Sequence, residues 1–207
     1  MEIKGRTISE VWEKSIQQII KDDSPLIPTQ HATMAKELQN MIMIVDEPFG
    51  EPRVSNKYSF PEKFQNEYSE FLLEPYAKSD ILHSRICEYG ESKLNQIEQC
   101  IKILQEDWYS RRAVITLWNP NDDLYSSFPP CICSFQIMIR KNKVDLVVVM
   151  RSNDAWLSAH PDMIALTNLQ KKISKLIGLE CGRYVHHAVS YHIYEYDYPM
   201  ALKVFFV

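Results

Sequence analysis

A chain of 207 residues, 45% apolar and 24% charged, has the size and composition of one folded domain with one sizeable core. Its net charge of −4 excludes a broad basic surface for long nucleic acid, and no apolar run is long enough to span a bilayer. Cys87, Cys100, Cys131, Cys133 and Cys181 form no CxxC ladder, and the opening MEIKGRTISEVWEK lacks a signal-peptide core, so a cytoplasmic protein without disulfides or structural zinc is expected.

Taken in order, the chain begins with a helix. Thr7 and Glu10 form a capping box, and Ile8, Val11, Trp12, Ile16, Ile19 and Ile20 make an apolar stripe that ends before Pro25. DSPLIPTQH reads as a loop and residues 38–45 as a strand. Residues 46–62 are a long, proline-interrupted connection. A second helix is predicted over 61–73, from Pro61 in its first turn to Pro75 beyond its end, carrying Glu67 and Glu70. Tyr89-Gly90 closes a loop. A third helix over 91–106 turns Leu94, Ile97, Ile101 and Leu104 inward.

AVITLW then reads as a strand, and NPNDDLYSSFPP as a turn-rich loop. A hairpin over 134–151 turns at Lys141-Asn142 and runs into RSND. A fourth helix over 162–177 carries Ile164, Leu166, Leu169, Ile173, Leu176 and Ile177, with Gly178 as its C-cap. The aromatic segment ECGRYVHHAVSYHIYEYDYP reads as strands, and the apolar tail ALKVFFV as a last strand. Strands alternating irregularly with helices give an α+β domain, taken as a single unit over 1–207.

Cys131 stands out because two prolines fix the backbone before it, and arginines elsewhere could lower a thiol pKa. A lone cysteine is more often a small buried apolar residue, and spacing alone does not choose between Cys131 and Cys133. Arg111-Arg112 and Arg151-Ser152 each sit at a strand end. Usually such arginines are surface charges, but converging with a serine they would suit a phosphate. His186, His187 and His192 do not make a chelate, because adjacent strand residues point to opposite faces, so no metal is expected.

Four segments in order resemble the thymidylate synthase family: SRRAVITLWNP, the PPC element with Gln136 in the strand after it, RSNDAWLSAHPD before a helix, and HIY at 192–194. The match covers about 105–196, and the short chain is similar to compact archaeal-type members. The resemblance implies a mixed sheet with flanking helices, dimerising through the sheet. It also implies covalent catalysis, in which a cysteine thiolate adds to C6 of a pyrimidine nucleotide and C5 attacks a one-carbon unit from 5,10-methylene-tetrahydrofolate. By that resemblance Cys131 is the nucleophile, and Arg151 and Ser152 hold the 5′-phosphate. Arg111 and Arg112 are donated across a homodimer interface to the partner's phosphate. Asp154 contacts the folate ring, His192 and Tyr194 bind the sugar hydroxyl, and Tyr89 and Gln136 line the site. Arg53 is a further phosphate ligand, and Glu67, with Glu70 next to it as the alternative, is the glutamate that organises proton transfer.

The chain departs from the family pattern in four places. Asp162 stands where the family has the asparagine that reads uracil. A carboxylate accepts from the cytosine amino group, and a protonated one donates to N3, so the change resembles the deoxycytidylate and cytidylate hydroxymethylase branch. Its competing reading is a helix cap. Ile132 follows the cysteine where synthases carry histidine, Ser158 replaces a common glycine, and only 13 residues follow Tyr194. The expected function is hydroxymethylation of CMP or dCMP. The alternatives are a compact thymidylate synthase acting on dUMP and a nucleotide-binding homologue without turnover.

Overall fold

The computed structural model describes residues 1–58 and 81–206. Among them run β1 (Glu2–Gly5), α1 (Ile8–Lys21), β2 (Ile27–Pro28), β3 (Met34–Val45), α2 (Ile81–Cys87), α3 (Gln96–Glu106), β4 (Val114–Thr116), α4 (Pro120–Asp123), β5 (Ile132–Arg140), β6 (Lys143–Asp154), α5 (Ala159–Ile177), β7 (Glu180–Tyr194) and α6 (Tyr198–Phe206). The strands form one mixed sheet in the order β1-β3-β7-β6-β5-β4, with β2 paired to β3. β1–β3 and β6–β7 are parallel and the other pairs antiparallel. This mixed sheet with flanking helices is the α+β architecture expected. The predicted helix over 61–73, with Glu67 and Glu70, lies outside the described residues.

Helix α1 starts as the capping box predicts. Thr7 accepts from the backbone N–H of Glu10, and Glu10 returns a bond to the N–H of Arg6. Its stripe of Ile8, Val11, Trp12, Ile16 and Ile19 is fully buried. Each such side chain contributes about 1.5–3 kcal/mol of transfer free energy. Trp12 also donates Nε1–H to the carbonyl of Ala155 at 2.9 Å, tying α1 to the turn after β6. The β5–β6 hairpin turns on Lys141 and Asn142 with φ of 51° and 56°, as a two-residue hairpin of type I′ requires.

Helix α3, the tail and helix α5 differ from the sequence expectation in ways that bear on the site. Helix α3 begins at Gln96 rather than 91, because Asn95 caps it and residues 89–94 form a tight turn bridged Tyr89 to Leu94. The tail is helix α6, not a strand. Tyr198, Ala201, Val204 and Phe205 recur at helical spacing and pack on the core, with Phe205 against Trp12. Helix α5 starts at Ala159, so Asp162 lies inside its first turn. Its N–H bonds the carbonyl of Ser158, and Ser158 holds the N-cap position. The helix-cap reading of Asp162 is therefore excluded.

The sheet carries a transverse kink. In β7 the buried residues run Tyr184, His186, Ala188 and then Tyr191, Ile193, so the buried phase inverts at Val189–Ser190. In β6 it inverts between Met150 and Asn153, and in β3 between Leu38 and Met41, where Asn40 has φ of 55°. The ladder skips Arg151 opposite Val189, Asn40 opposite Val189, and Cys133 between Ile132 and Ser134. Four neighbouring strands are thus interrupted in one row, by a bulge at Cys133 in β5 and by unpaired residues without change of register in the others, and residues beyond the row turn to the other face. Before the row, Val147, Val149, Val185 and His187 lie on the face away from α1 and α5. Beyond it, Ser152, Asp154, Ser190 and His192 occupy that outer face.

Candidate active site

Cys131 sits just before the bulge in β5 and is exposed, while Cys133, two residues on, is half-buried. The loop before Cys131 is fixed from two sides. Arg85 forms a bidentate pair with Asp123 at 2.6 and 2.9 Å and bonds the carbonyl of Leu117 at 2.6 Å. Both partners are buried, and the arginine holds the Asp123 carboxyl below its usual pKa. On the other side, Arg151 donates Nε–H to Pro130 and Nη2–H to Pro129, at 2.9 and 2.7 Å, and its backbone N–H to the carbonyl of Cys131 at 2.8 Å. One arginine therefore fixes all three residues of the PPC element. Surrounding protein pushes the Cys131 thiol above its ordinary pKa, Arg151 pulls it down, and Asp162, Cys133 and Asp154 add to the rise. Among the described residues Arg151 is the one positive charge named as lowering it.

Asp162 belongs to a buried chain of polar groups. Its Oδ2 accepts from Asn153 Nδ2 at 2.7 Å, and that same amide nitrogen reaches Ser158 Oγ at 3.1 Å. Asn153 Oδ1 lies 2.9 Å from His186 Nε2, and His186 Nδ1 lies 2.8 Å from the Tyr184 hydroxyl. Burial drives the His186 pKa down to about 3, so its ring is neutral. An ionised Asp162 only accepts, which sets the direction of every bond in the chain. Asn153 gives both amide protons away and accepts from His186 Nε2–H, while Tyr184 donates to Nδ1. The bond between Asn153 and His186 spans the kink, since the two residues lie on opposite sides of it yet share the helix-covered face.

A cleft opens at the outer face beyond the kink, lined by Ile27, Glu37, Ser152, Ser190, His192 and Tyr194 among others. Three of the residues expected to bind nucleotide, Ser152, His192 and Tyr194, meet there. His192 packs edge-on against Tyr194 with ring centroids 4.9 Å apart, and burial lowers its pKa. Glu37 and Ser190 were not anticipated. They come from strands far apart in sequence, and only the β3–β7 register brings them together. Asp154 neighbours His192 through the β6–β7 register. Its Oδ1 accepts from the N–H groups of Trp156 and Leu157, both at 2.9 Å, and burial raises its pKa.

Other expected residues are placed differently. Arg53 is clamped to α5 instead of reaching this cleft. Its Nη2 bonds the Ile164 carbonyl, Thr167 Oγ1 and Asn168 Oδ1 at 3.0, 2.7 and 2.8 Å, and its Nε bonds the Pro48 carbonyl. With those donors consumed, it fastens the 46–58 connection to the helix. Gln136 lies five residues beyond Cys131, about 17 Å along an extended strand, and bonds the carbonyl of Arg111 at 3.0 Å. Tyr89 sits in the turn before α3, and among the described residues no side-chain contact joins it to the cleft. Arg111 and Arg112 are exposed, and among the described residues their guanidinium groups have no hydrogen bond or ion pair. Among the described residues no group of histidines, cysteines and carboxylates could hold a metal, and no helix is long and apolar enough to cross a membrane.

A thymidylate synthase family model matches residues 12–204. The chain is 34% identical to a protein of Methanocaldococcus jannaschii, over 95% of this chain and 93% of that one. It is 24% and 28% identical to proteins of Methanosarcina barkeri and Methanococcoides burtonii, over 98% of this chain and 93% of each relative. All three carry the name "Putative thymidylate synthase". The chain belongs to the thymidylate synthase family and is a one-carbon transferase that acts on a pyrimidine nucleotide.

Proposed function

We propose that the chain hydroxymethylates C5 of a cytidine monophosphate, with Asp162 reading the base. The observation that carries this is the state of Asp162. It is 3% exposed, it does not cap α5, and Asn153 presents an N–H to it. Its carboxylate takes the Asn153 N–H, and an ionised carboxylate only accepts. It therefore suits a base edge that offers the N4 amino donor of cytosine, and it repels the O4 acceptor of uracil.

In this reading the Cys131 thiolate attacks C6 and forms the Sγ–C6 bond, which places electron density on C5. C5 would take up the one-carbon unit, whose bond to the carrier nitrogen breaks as the C5 proton is lost, water adds to the exocyclic methylene, and the Sγ–C6 bond breaks to return the thiolate. When bound, 5,10-methylene-tetrahydrofolate supplies the one-carbon unit at the oxidation level of the hydroxymethyl product, so no hydride is needed. Asp154 suits its ring, because Oδ2 carries no hydrogen bond among the described residues and a buried carboxylate seeks an N–H donor. Ile132 is 3% exposed, so the position after the nucleophile adds no polar group. Ser152 and Arg151 hold the phosphate, and His192 and Tyr194 the 3′-hydroxyl. Glu67, with Glu70 as the alternative, organises the C5 proton.

The active form in this reading is a homodimer paired through the outer sheet face. Ile42, Ile44, Val147, Val149, Val185 and exposed Val189 form a half-open apolar patch there. Within it, His187 Nε2 is buried with no partner among the described residues, as expected of a surface that a second copy covers. Arg111 and Arg112 of the second copy would bring positive charge to the phosphate and to the raised Cys131 thiol.

The test is release of tritium from C5 of CMP, dCMP, UMP and dUMP in the presence of methylene-tetrahydrofolate. Preference for a cytosine nucleotide is expected, and preference for dUMP sinks the cytosine reading. The second reading, methylation of dUMP, is favoured by the name of the 34% identical relative.

A further inference from the structure

The cleft contains a carboxylate that the reaction just described does not use. Glu37 on β3 stands directly opposite His192 on β7, and opposed residues share a face. The Ser190 hydroxyl donates to Glu37 Oε1, and both residues line the cleft with Ser152, His192 and Tyr194. Ser190 is itself opposite Ser152 on β6, so Glu37 lies beside the sugar-holding His192 and across β7 from the phosphate-holding Ser152. An accept-only anion in a cleft for a phosphorylated ligand weakens binding unless the ligand offers it a donor. A pyrimidine nucleoside monophosphate has two kinds of donor, the base edge and the sugar hydroxyls. The base edge belongs to Asp162, which sits on α5. The 3′-hydroxyl already has His192 and Tyr194.

We propose that Glu37, oriented by Ser190, accepts a hydrogen bond from the ribose 2′-hydroxyl and makes the enzyme select ribonucleotides over 2′-deoxyribonucleotides. The inference rests on the nucleotide reading of the cleft and adds the sugar to it. A deoxynucleotide leaves the Glu37 carboxylate facing the cleft with one donor fewer. A hydrogen bond to a charged group carries about 1.5–3 kcal/mol, on the order of a 10- to 100-fold preference.

Two measurements are made on the full-length wild type, Glu37→Ala, Glu37→Gln and Ser190→Ala. The first is calorimetric binding of CMP, dCMP, UMP and dUMP, and the second is C5 tritium release from each. Wild type should bind ribonucleotides 10- to 100-fold more tightly than their deoxy counterparts. Glu37→Ala should collapse that ratio towards one, and Ser190→Ala should reduce it in part. A wild-type preference for deoxyribose, or a ribose preference that survives Glu37→Ala, overturns the proposal. If Glu37→Ala does not fold, a ratio unchanged in both Glu37→Gln and Ser190→Ala overturns it as well. Binding separates this idea from the chemistry: a ribose preference lost with Glu37, alongside no C5 release from any nucleotide, supports the sugar assignment and refutes the catalytic one.

Discussion

Asp162→Asn is the sharpest test of base reading, because the surroundings of residue 162 decide which way an asparagine would face. Asn153 gives one amide proton to Ser158 and the other to Asp162, and its oxygen is committed to His186. The atom of residue 162 that meets Asn153 at 2.7 Å must then be an oxygen. An asparagine there has to aim its NH2 at the base. That group donates well to O4 of uracil and opposes the N4 amino group of cytosine. Cytosine loses a bond to a charged acceptor, about 1.5–3 kcal/mol, and two buried donors face each other at about 1–3 kcal/mol more. Uracil gains a neutral bond of about 0.5–1.5 kcal/mol. A net change of at least about 3 kcal/mol shifts the cytosine-to-uracil ratio of kcat/KM roughly 100-fold. Competitive C5 tritium release from paired cytosine and uracil nucleotides measures it. A second variant makes the argument stringent. In Asn153→Asp combined with Asp162→Asn, the new carboxylate accepts the amide, residue 162 turns its oxygen to the base, and cytosine preference should return. An unchanged ratio in the single variant, or no recovery in the double, refutes the reasoning.

Other outcomes follow from the same geometry. Cys131→Ser should abolish C5 exchange while nucleotide binding stays measurable by calorimetry, and Cys133→Ser should retain exchange; the reverse pattern would move the nucleophile to Cys133. Arg85→Met leaves Asp123 buried without its bidentate partner, so urea unfolding should show a loss of about 3–5 kcal/mol. A loss below about 1 kcal/mol would mean that the Arg85–Asp123 pair does not secure the loop before Cys131. His160 and His186 are both buried with pKa values pushed down to about 3. The unfolded chain binds their protons below about pH 6.5, so the stability is present above that pH and is lost as pH falls towards 3. Near pH 5 the two together should steepen the dependence of unfolding free energy on pH by about 2.7 kcal/mol per pH unit. His186→Gln should remove about half of that slope, and an unaltered slope would mean that His186 is not a neutral buried group.

Local signals read well from the sequence. The Thr7–Glu10 box, the Lys141-Asn142 turn and the Gly178 cap each depend on a few adjacent residues and stand as expected. The kink was not legible, because its signature is a phase slip inside strands whose alternation is already blurred. KVDLVVVMRSND has no polar alternation to interrupt before the slip occurs. In the tail Val204, Phe205 and Phe206 favour a strand, while the packing of Ala201 and Phe205 against α1 decides for helix. Cys131, Arg151, Ser152 and Asp162 stood out through their motifs. Arg53 stands out through EPR, but nothing in that motif reveals that α5 takes up its Nη2 donors. Glu37 has no motif at all, and its place emerges only from the cross-strand register that seats it opposite His192.

The hydrogen-bonded line from Asp162 through Asn153 to His186 lies in the packed interior, between α5 and the sheet. In the proposed base-reading role of Asp162, selectivity and thermal resistance share the same atoms. A change that relaxes the choice of base at this end must also break a satisfied polar chain at the other, and will melt earlier. Variants with broadened substrate range should thus surface first among those already stabilised elsewhere, and a search for altered specificity is best begun from the most heat-tolerant background.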